Sequence, residues 1–217
     1  MHLHIKICGL RRAADTDAVN RYRPDYAGFV FAKSPRRVDR ETARVLKARL
    51  AADIPVLGVF VNSPADKVAA LANEGIIDGI QLHGDEDEQY LQSLRQQTRA
   101  PLVKAVRLRA DSAAELARCT PYADYILLDV FQPGVYGGTG RQIEAALLQD
   151  LRIDKPFFLA GGLTGDNVEE SIRKVLALPH LRDRLYGVDV SGGVETDGQK
   201  DEGKIRKFIE TVRGLKL

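Results

Sequence analysis

Two groups able to move protons stand out by what precedes them. Cys8 ends the run His4-Ile5-Lys6-Ile7, and Asp129 ends Ile126-Leu127-Leu128. Both runs read as buried strands, so each polar group sits where an apolar segment stops. A carboxyl group there is costly unless partnered, which favours a function or an ion pair over chance. Cys8 is open to two readings: a small buried hydrophobe, as lone cysteines usually are, or a base once ionised. Cys119, in an expected helix, takes the first. Arg36, His83 and Asp189 also follow or close strands, in Lys33-Ser34-Pro35-Arg36, His83-Gly84 and Asp189-Val190-Ser191-Gly192-Gly193. Gly161-Gly162 and Ser191-Gly192-Gly193 make glycine-rich turns whose successive N–H groups can converge on an anion. One face would thus collect a thiol, an imidazole, two carboxylates, an arginine and two glycine-rich turns, which read either as plain turns or as a phosphate site. No residues have zinc-ligand spacing, and no metal is expected.

These groups can cooperate only if their strands lie side by side. Apolar runs and their stop signals predict strands at 3–8, 26–31, 55–61, 79–83, 102–107, 125–130, 157–160 and 186–190. Amphipathic stretches between them predict helices at 13–22, 39–51, 65–73, 87–97, 112–118, 143–148, 167–176 and 204–212. Ser63-Pro64-Ala65-Asp66 reads as a capped start with a first-turn proline, and Ser112-Ala113-Ala114-Glu115 as a capping box. Strict alternation argues for a parallel sheet. Eight units in 217 residues, about 27 each, fit a compact (β/α)8 TIM barrel. The rival is an open doubly wound sheet, but no GxGxxG fingerprint follows the first strand. No Pro-, Gly- or Ser-rich linker divides the chain, so residues 1–217 are expected to form a single domain. In a barrel the loops after the strands carry the chemistry, and those after the seventh and eighth frequently bind phosphate.

Composition excludes other classes. Thirty-two basic against thirty acidic residues leave a charge of +2, too little for a nucleic-acid footprint. No apolar run approaches the ~20 residues needed to span a bilayer, and the N-terminal residues do not resemble a secretory signal. Two distant cysteines suggest no disulfide framework. A cytoplasmic protein is expected.

The motifs run in order along the chain: KICGL at 6–10, GFVF at 28–31, SPR at 34–36, GVFVN at 58–62 and QLHGDE at 81–86. LLD at 127–129, GGTG at 137–140, AGGLTGDNV at 160–168, GVDVSGGVE at 187–195 and Lys200-Asp201 continue it. Together, nearly end to end, they resemble the phosphoribosylanthranilate isomerases of tryptophan biosynthesis. The resemblance implies an Amadori rearrangement of N-(5-phosphoribosyl)anthranilate to a 1-deoxyribulose 5-phosphate, without cofactor or metal. It makes Cys8 the general base and Asp129 the general acid. Arg36, His83 and Asp189 would contact substrate, and Gly161, Gly162, Ser191 and Gly192 would hold its phosphate. The partner is then a small phosphosugar, bound by a monomer or homodimer, with no nucleic acid or membrane involved.

The chain departs from the family pattern at Ile143-Glu144-Ala145, where Phe-Asp-Trp is usual, at Gly165 for a proline, and at Gly192 for a second serine. None removes a catalytic residue. The related histidine-pathway isomerase uses paired aspartates, so Cys8 speaks against it. A non-catalytic phosphosugar-binding barrel would need neither Cys8 nor Asp129.

Strand alternation adds an expectation of its own. Side chains two apart share a face. If Cys8 points into the barrel mouth, Lys6 lies inside below it, with Ile5 and Ile7 facing the helices. Gln81 and His83 repeat this pattern, with Lys104 joining from the fifth strand. A buried Lys6 needs an acid, Asp129 or Asp189, and would favour the Cys8 thiolate; the rival is a lysine reaching solvent at the barrel's bottom.

Overall fold

A computed structural model describes residues 2–130 and 147–216. The motif at 137–140, the departure at 143–145 and most of the helix expected at 143–148 lie outside the described residues.

The chain alternates β1 (His4–Cys8), α1 (Ala13–Tyr22), β2 (Tyr26–Val30), α2 (Arg40–Arg49), β3 (Val56–Phe60), α3 (Ala65–Asn73), β4 (Gly79–Leu82) and α4 (Glu88–Gln97). It continues through β5 (Leu102–Arg107), α5 (Ser112–Cys119) and β6 (Tyr125–Asp129). Helical residues 147–150, here α6, lead to β7 (Phe157–Ala160). Then come α7 (Val168–Leu176), α8 (Pro179–Arg182), β8 (Leu185–Val190), the hairpin β9 (Glu195–Thr196) and β10 (Gln199–Lys200), and α9 (Glu202–Arg213). Strands β1 to β8 close into one parallel barrel in sequence order, β8 pairing β1. The (β/α)8 expectation holds.

The period-two pattern decides which side chains face which way. Ile5, Ile7, Ile80, Leu82, Leu128 and Val188 belong to the large core between barrel and helices. Leu57, Val103, Ala105, Leu127, Phe158 and Ala160 fill the barrel itself. At its floor, the N-terminal end of the strands, His4 stacks on Tyr186 and Tyr26 hydrogen-bonds the Tyr186 hydroxyl at 2.7 Å. His2, His4 and Asp25 meet there, the one group among the described residues close enough to share a metal ion. Asp25 Oδ1 lies 3.2 Å from His2 Nε2, while Oδ2 accepts from Ile5 N–H at 2.8 Å. The sequence spacing does not reveal this group, because Asp25 comes from the next strand's approach.

Three local expectations are corrected. Lys104 does not join the interior layer: Val103 and Ala105 take the inward face. Lys104 points out toward the helices, donating to Gly84 O at 2.7 Å and Glu86 Oε2 at 3.2 Å. Ser63 does not cap α3, whose N-cap is Pro64; the Ser63 carbonyl instead accepts from Tyr90 OH at 2.7 Å. Ser112 lies inside the first turn of α5, whose N-cap is Asp111. Its hydroxyl donates to Arg107 O and accepts from Arg109 N–H, both at 2.8 Å, so it clamps the β5–α5 loop. Among the described residues no helix is long and apolar enough to cross a membrane.

Candidate active site

The C-terminal ends of the strands surround a cavity of about 390 Å³, within the range of small-molecule sites. Arg36, His83, Asp129, Gly161, Gly162, Asp189, Ser191 and Gly192 all line it. Eight of the nine residues singled out in the sequence therefore meet at one place. A larger hollow, about 780 Å³, opens at the far ends of α3 and α4 among residues such as Asn73 and Arg99. It brings together none of those nine.

The ninth, Cys8, is 5% exposed and packs below the cavity lining. What makes room for it is Gly28, its partner in the β1–β2 register. A methyl group at Gly28 would stand 2.8 Å from Cys8 Sγ and 3.0 Å from Cys8 Cα. Burial pushes the Cys8 thiol up, and the positive charge of Lys6 acts the other way. Asp189 adds to the upward push and Lys200 opposes it; the net shift is upward. Burial thus opposes the thiolate at Cys8, while the charges of Lys6 and Lys200 favour it.

Lys6 is fully buried and its Nζ lies 3.0 Å from Asp189 Oδ1. Of the two acids offered by the sequence Asp189 is the partner, and the solvent-reaching alternative is excluded. Burial disfavours the ammonium, but Asp189 and then Cys8 outweigh it, and the Lys6 pKa is raised. Lys6 also donates to Gln81 Oε1 at 2.8 Å, and Gln81 Nε2 lies 3.2 Å from His83 Nδ1. His83 Nε2 in turn faces Asp129 Oδ2 at 3.4 Å. A continuous polar chain therefore runs under the cavity from Asp189 to Asp129.

The other wall is built from the β7 and β8 turns. Gly161 and Gly162 have φ of +101° and +61°, left-handed values that favour glycine. Gly193 allows the two turns to touch, since a methyl group there would fall 1.8 Å from Leu163 O. Gly192 is less constrained: its nearest neighbour to such a group is Arg36 Nη2 at 3.3 Å.

Sequence reasoning missed what holds Arg36. Glu195 grips it by two bonds of 2.7 Å, Nε to Oε1 and Nη2 to Oε2. Lys200 donates to the same Glu195 Oε1 at 2.7 Å and to Ser191 O at 2.9 Å. Burial raises the Glu195 pKa, but the hydrogen bonds from Arg36 and Lys200 prevail and hold it down to about 2. For the Lys200–Glu195 contact, though not for Arg36, a local signal was present. Asp197 and Gly198, both with positive φ, form the two-residue Asp-Gly hairpin turn that folds Lys200 back onto Glu195. Ser191 Oγ donates to Cys8 O at 3.1 Å, tying the β8 turn to the thiol's strand.

This arrangement offers two proton-transfer groups, Cys8 on β1 and Asp129 on β6, beside backbone turns fit for an anion and a cation held by a carboxylate. The chain as a whole is similar to several known proteins. The curated relative from Endomicrobium trichonymphae, named N-(5'-phosphoribosyl)anthranilate isomerase, is 42% identical over 211 residues, covering 97% of this chain and 98% of that one. The crystal structure of phosphoribosyl anthranilate isomerase from Thermotoga maritima superposes with a TM-score of 0.81 at 32% identity, covering 99% of this chain and all of that one. A structure of phosphoribosyl anthranilate isomerase in complex with reduced 1-(o-carboxyphenylamino)-1-deoxyribulose 5-phosphate superposes with a TM-score of 0.77 at 30% identity, again over 99% of this chain and all of that one. Residues 5–211 match the family described as N-(5'phosphoribosyl)anthranilate (PRA) isomerase, and the chain belongs to it.

Proposed function

We propose that the chain catalyses the Amadori rearrangement of N-(5'-phosphoribosyl)anthranilate to 1-(2-carboxyphenylamino)-1-deoxyribulose 5-phosphate, a step of tryptophan biosynthesis, as one barrel domain in the cytoplasm. The observation that carries this reading is the convergence of Asp129, Arg36, Asp189 and the Gly161–Gly162 and Ser191–Gly192 turns on one cavity, with Cys8 beneath it.

Asp129, as the acid, gives its proton to the furanose ring oxygen while the bond from that oxygen to C1 breaks. The nitrogen lone pair forms the C1=N bond of the Schiff base. Cys8, once ionised, takes the proton from C2, and the electron pair left behind makes C1=C2 and neutralises the iminium. The enolamine then gains a proton at C1 and loses one from the C2 hydroxyl to give the ketone. Return of the proton from Cys8 and reprotonation of Asp129 restore the enzyme, and the net reaction is an isomerisation. The rearrangement as written calls for no cofactor. Lys6, Lys200 and Arg36 supply the positive charge that a thiolate requires. Arg36, aimed by Glu195, would meet the anthranilate or sugar side. The backbone N–H groups of the two turns would take the phosphate.

Loss of phosphoribosylanthranilate fluorescence on adding the protein tests this reading. Steady turnover is expected. Turnover only of the corresponding histidine-pathway substrate, or binding without turnover, would overturn it.

A further inference from the structure

The polar chain below the cavity carries information about protons. Lysine has three donors and no acceptor, so the Gln81 atom 2.8 Å from Lys6 Nζ must be the carbonyl oxygen. The orientation of the amide follows from Lys6 and not from choice. Gln81 then turns its NH₂ group, a donor only, toward His83 Nδ1 at 3.2 Å. In the neutral ring Nδ1 must therefore be the acceptor, and the ring proton sits on Nε2. Nε2 faces Asp129 Oδ2 at 3.4 Å, long for a hydrogen bond, as catalytic contacts often are before substrate binds. An Nε2–H there makes Oδ2 the accepting oxygen, so a proton held by Asp129 resides on Oδ1.

We propose that Gln81 is a positioning residue: oriented by Lys6, it fixes the tautomer of His83 and through it the oxygen from which Asp129 donates. With the other tautomer, a bare Nε2 would compete with the substrate for Asp129's proton. This also accounts for the burial of an amide beneath the mouth, where Gln81 is 1% exposed and an apolar side chain would pack without a partner. Lys6 would then serve both halves of the reaction, favouring the thiolate at Cys8 and setting the proton at Asp129. The inference rests on Asp129 being the acid, but its first test does not.

That test is the ¹⁵N spectrum of His83 in the ligand-free protein, above the pH at which the ring protonates. The wild type is expected to show a bare Nδ1 and a protonated Nε2. Gln81→Glu places an acceptor opposite Nδ1, and the proton is expected to move there, with kcat falling about 10- to 100-fold, less than removal of a general acid, and KM little changed. Should Gln81→Glu fail to fold, Gln81→Met removes the donor without adding charge, and the Nδ1 resonance should move toward the value of a nitrogen without a hydrogen bond. A wild-type ring protonated at Nδ1, an unchanged tautomer in folded Gln81→Glu, or an unmoved Nδ1 resonance in Gln81→Met would overturn the proposal. An inactive wild type with the expected spectra would instead overturn the functional reading and leave the tautomer assignment standing.

Discussion

Replacing Lys6 by Met removes the ammonium that lies 3.0 Å from Asp189 Oδ1 and 2.8 Å from Gln81 Oε1. At that separation the Coulomb attraction is about 5 kcal/mol at an effective dielectric of ~20. The cost of taking both ions out of water offsets much of it, so the pair itself adds little. Breaking the pair is another matter. Asp189, with a side chain only 9% exposed, is left as an uncompensated buried charge, at a cost of about 3–5 kcal/mol. For a chain of this size each kcal/mol moves Tm by about 2–4 °C, so Lys6→Met should melt roughly 6–20 °C below wild type. Adding Asp189→Asn to Lys6→Met removes the stranded charge and should restore most of the loss, a coupling that the double-mutant cycle reads directly. The same variant bears on Cys8. Lys6 is the largest influence opposing the upward push of burial on the thiol, so alkylation of Cys8 by iodoacetamide should need a higher pH in Lys6→Met. A melting temperature within about 2 °C of wild type, less than 1 kcal/mol of loss, would refute the ion-pair argument. An unshifted alkylation profile in the folded variant would refute the electrostatic role.

Gly28→Ala brings a methyl group to 2.8 Å from Cys8 Sγ; overpacking of this kind costs about 1–3 kcal/mol, and kcat should fall with the displaced thiol while inorganic phosphate inhibits as before. Glu195→Gln tests the grip on Arg36. The folded-state pKa of about 2 lies below the ordinary 4.5, so the ionised group's contribution is present above pH 4.5 and lost as pH falls toward 2. Urea midpoints of wild type and Glu195→Gln should therefore differ at neutral pH and converge through that window, and a gap independent of pH would refute the reasoning. Gly192→Val should leave the fold intact, since only Arg36 Nη2 lies near the added carbon, and should weaken competitive inhibition by inorganic phosphate; equal inhibition constants would move the phosphate site elsewhere.

The barrel was legible because strand and helix write different periods into the apolar residues. Buried runs such as Ile126–Leu127–Leu128 stop at polar rim groups such as Asp129, and these stops mark one end of the molecule. Side-chain direction was legible wherever alternation could be counted from a known residue, as for Lys6 from Cys8. It failed for Lys104, because no residue of the fifth strand gave a phase to count from: Val103 and Ala105, not Lys104, fill the barrel. Helix caps misled because α3 begins one residue later than Ser63 would cap, with Pro64 at its N-cap, and because the β5 end holds the Ser112 hydroxyl. Partners across the barrel were invisible for a different reason. Nothing local says that Glu195 meets Arg36, 159 residues away, or that Gln81 meets Lys6, 75 residues away; closure of the barrel creates both contacts. The space at Gly28 belongs to the same class, since its reason, the Cys8 thiol, lies on the neighbouring strand.

The division of labour between Cys8 and Asp129 is tested most directly by kcat for phosphoribosylanthranilate in Cys8→Ala and Asp129→Asn, measured beside inhibition by inorganic phosphate. Each variant should fold, bind phosphate as the wild type does, and lose about 10²- to 10⁴-fold in kcat, the usual worth of a general base or acid. A variant that keeps wild-type kcat would contradict the assignment: Cys8 would be a packing residue against Gly28, or Asp129, if only KM rose, a residue of uniform substrate binding.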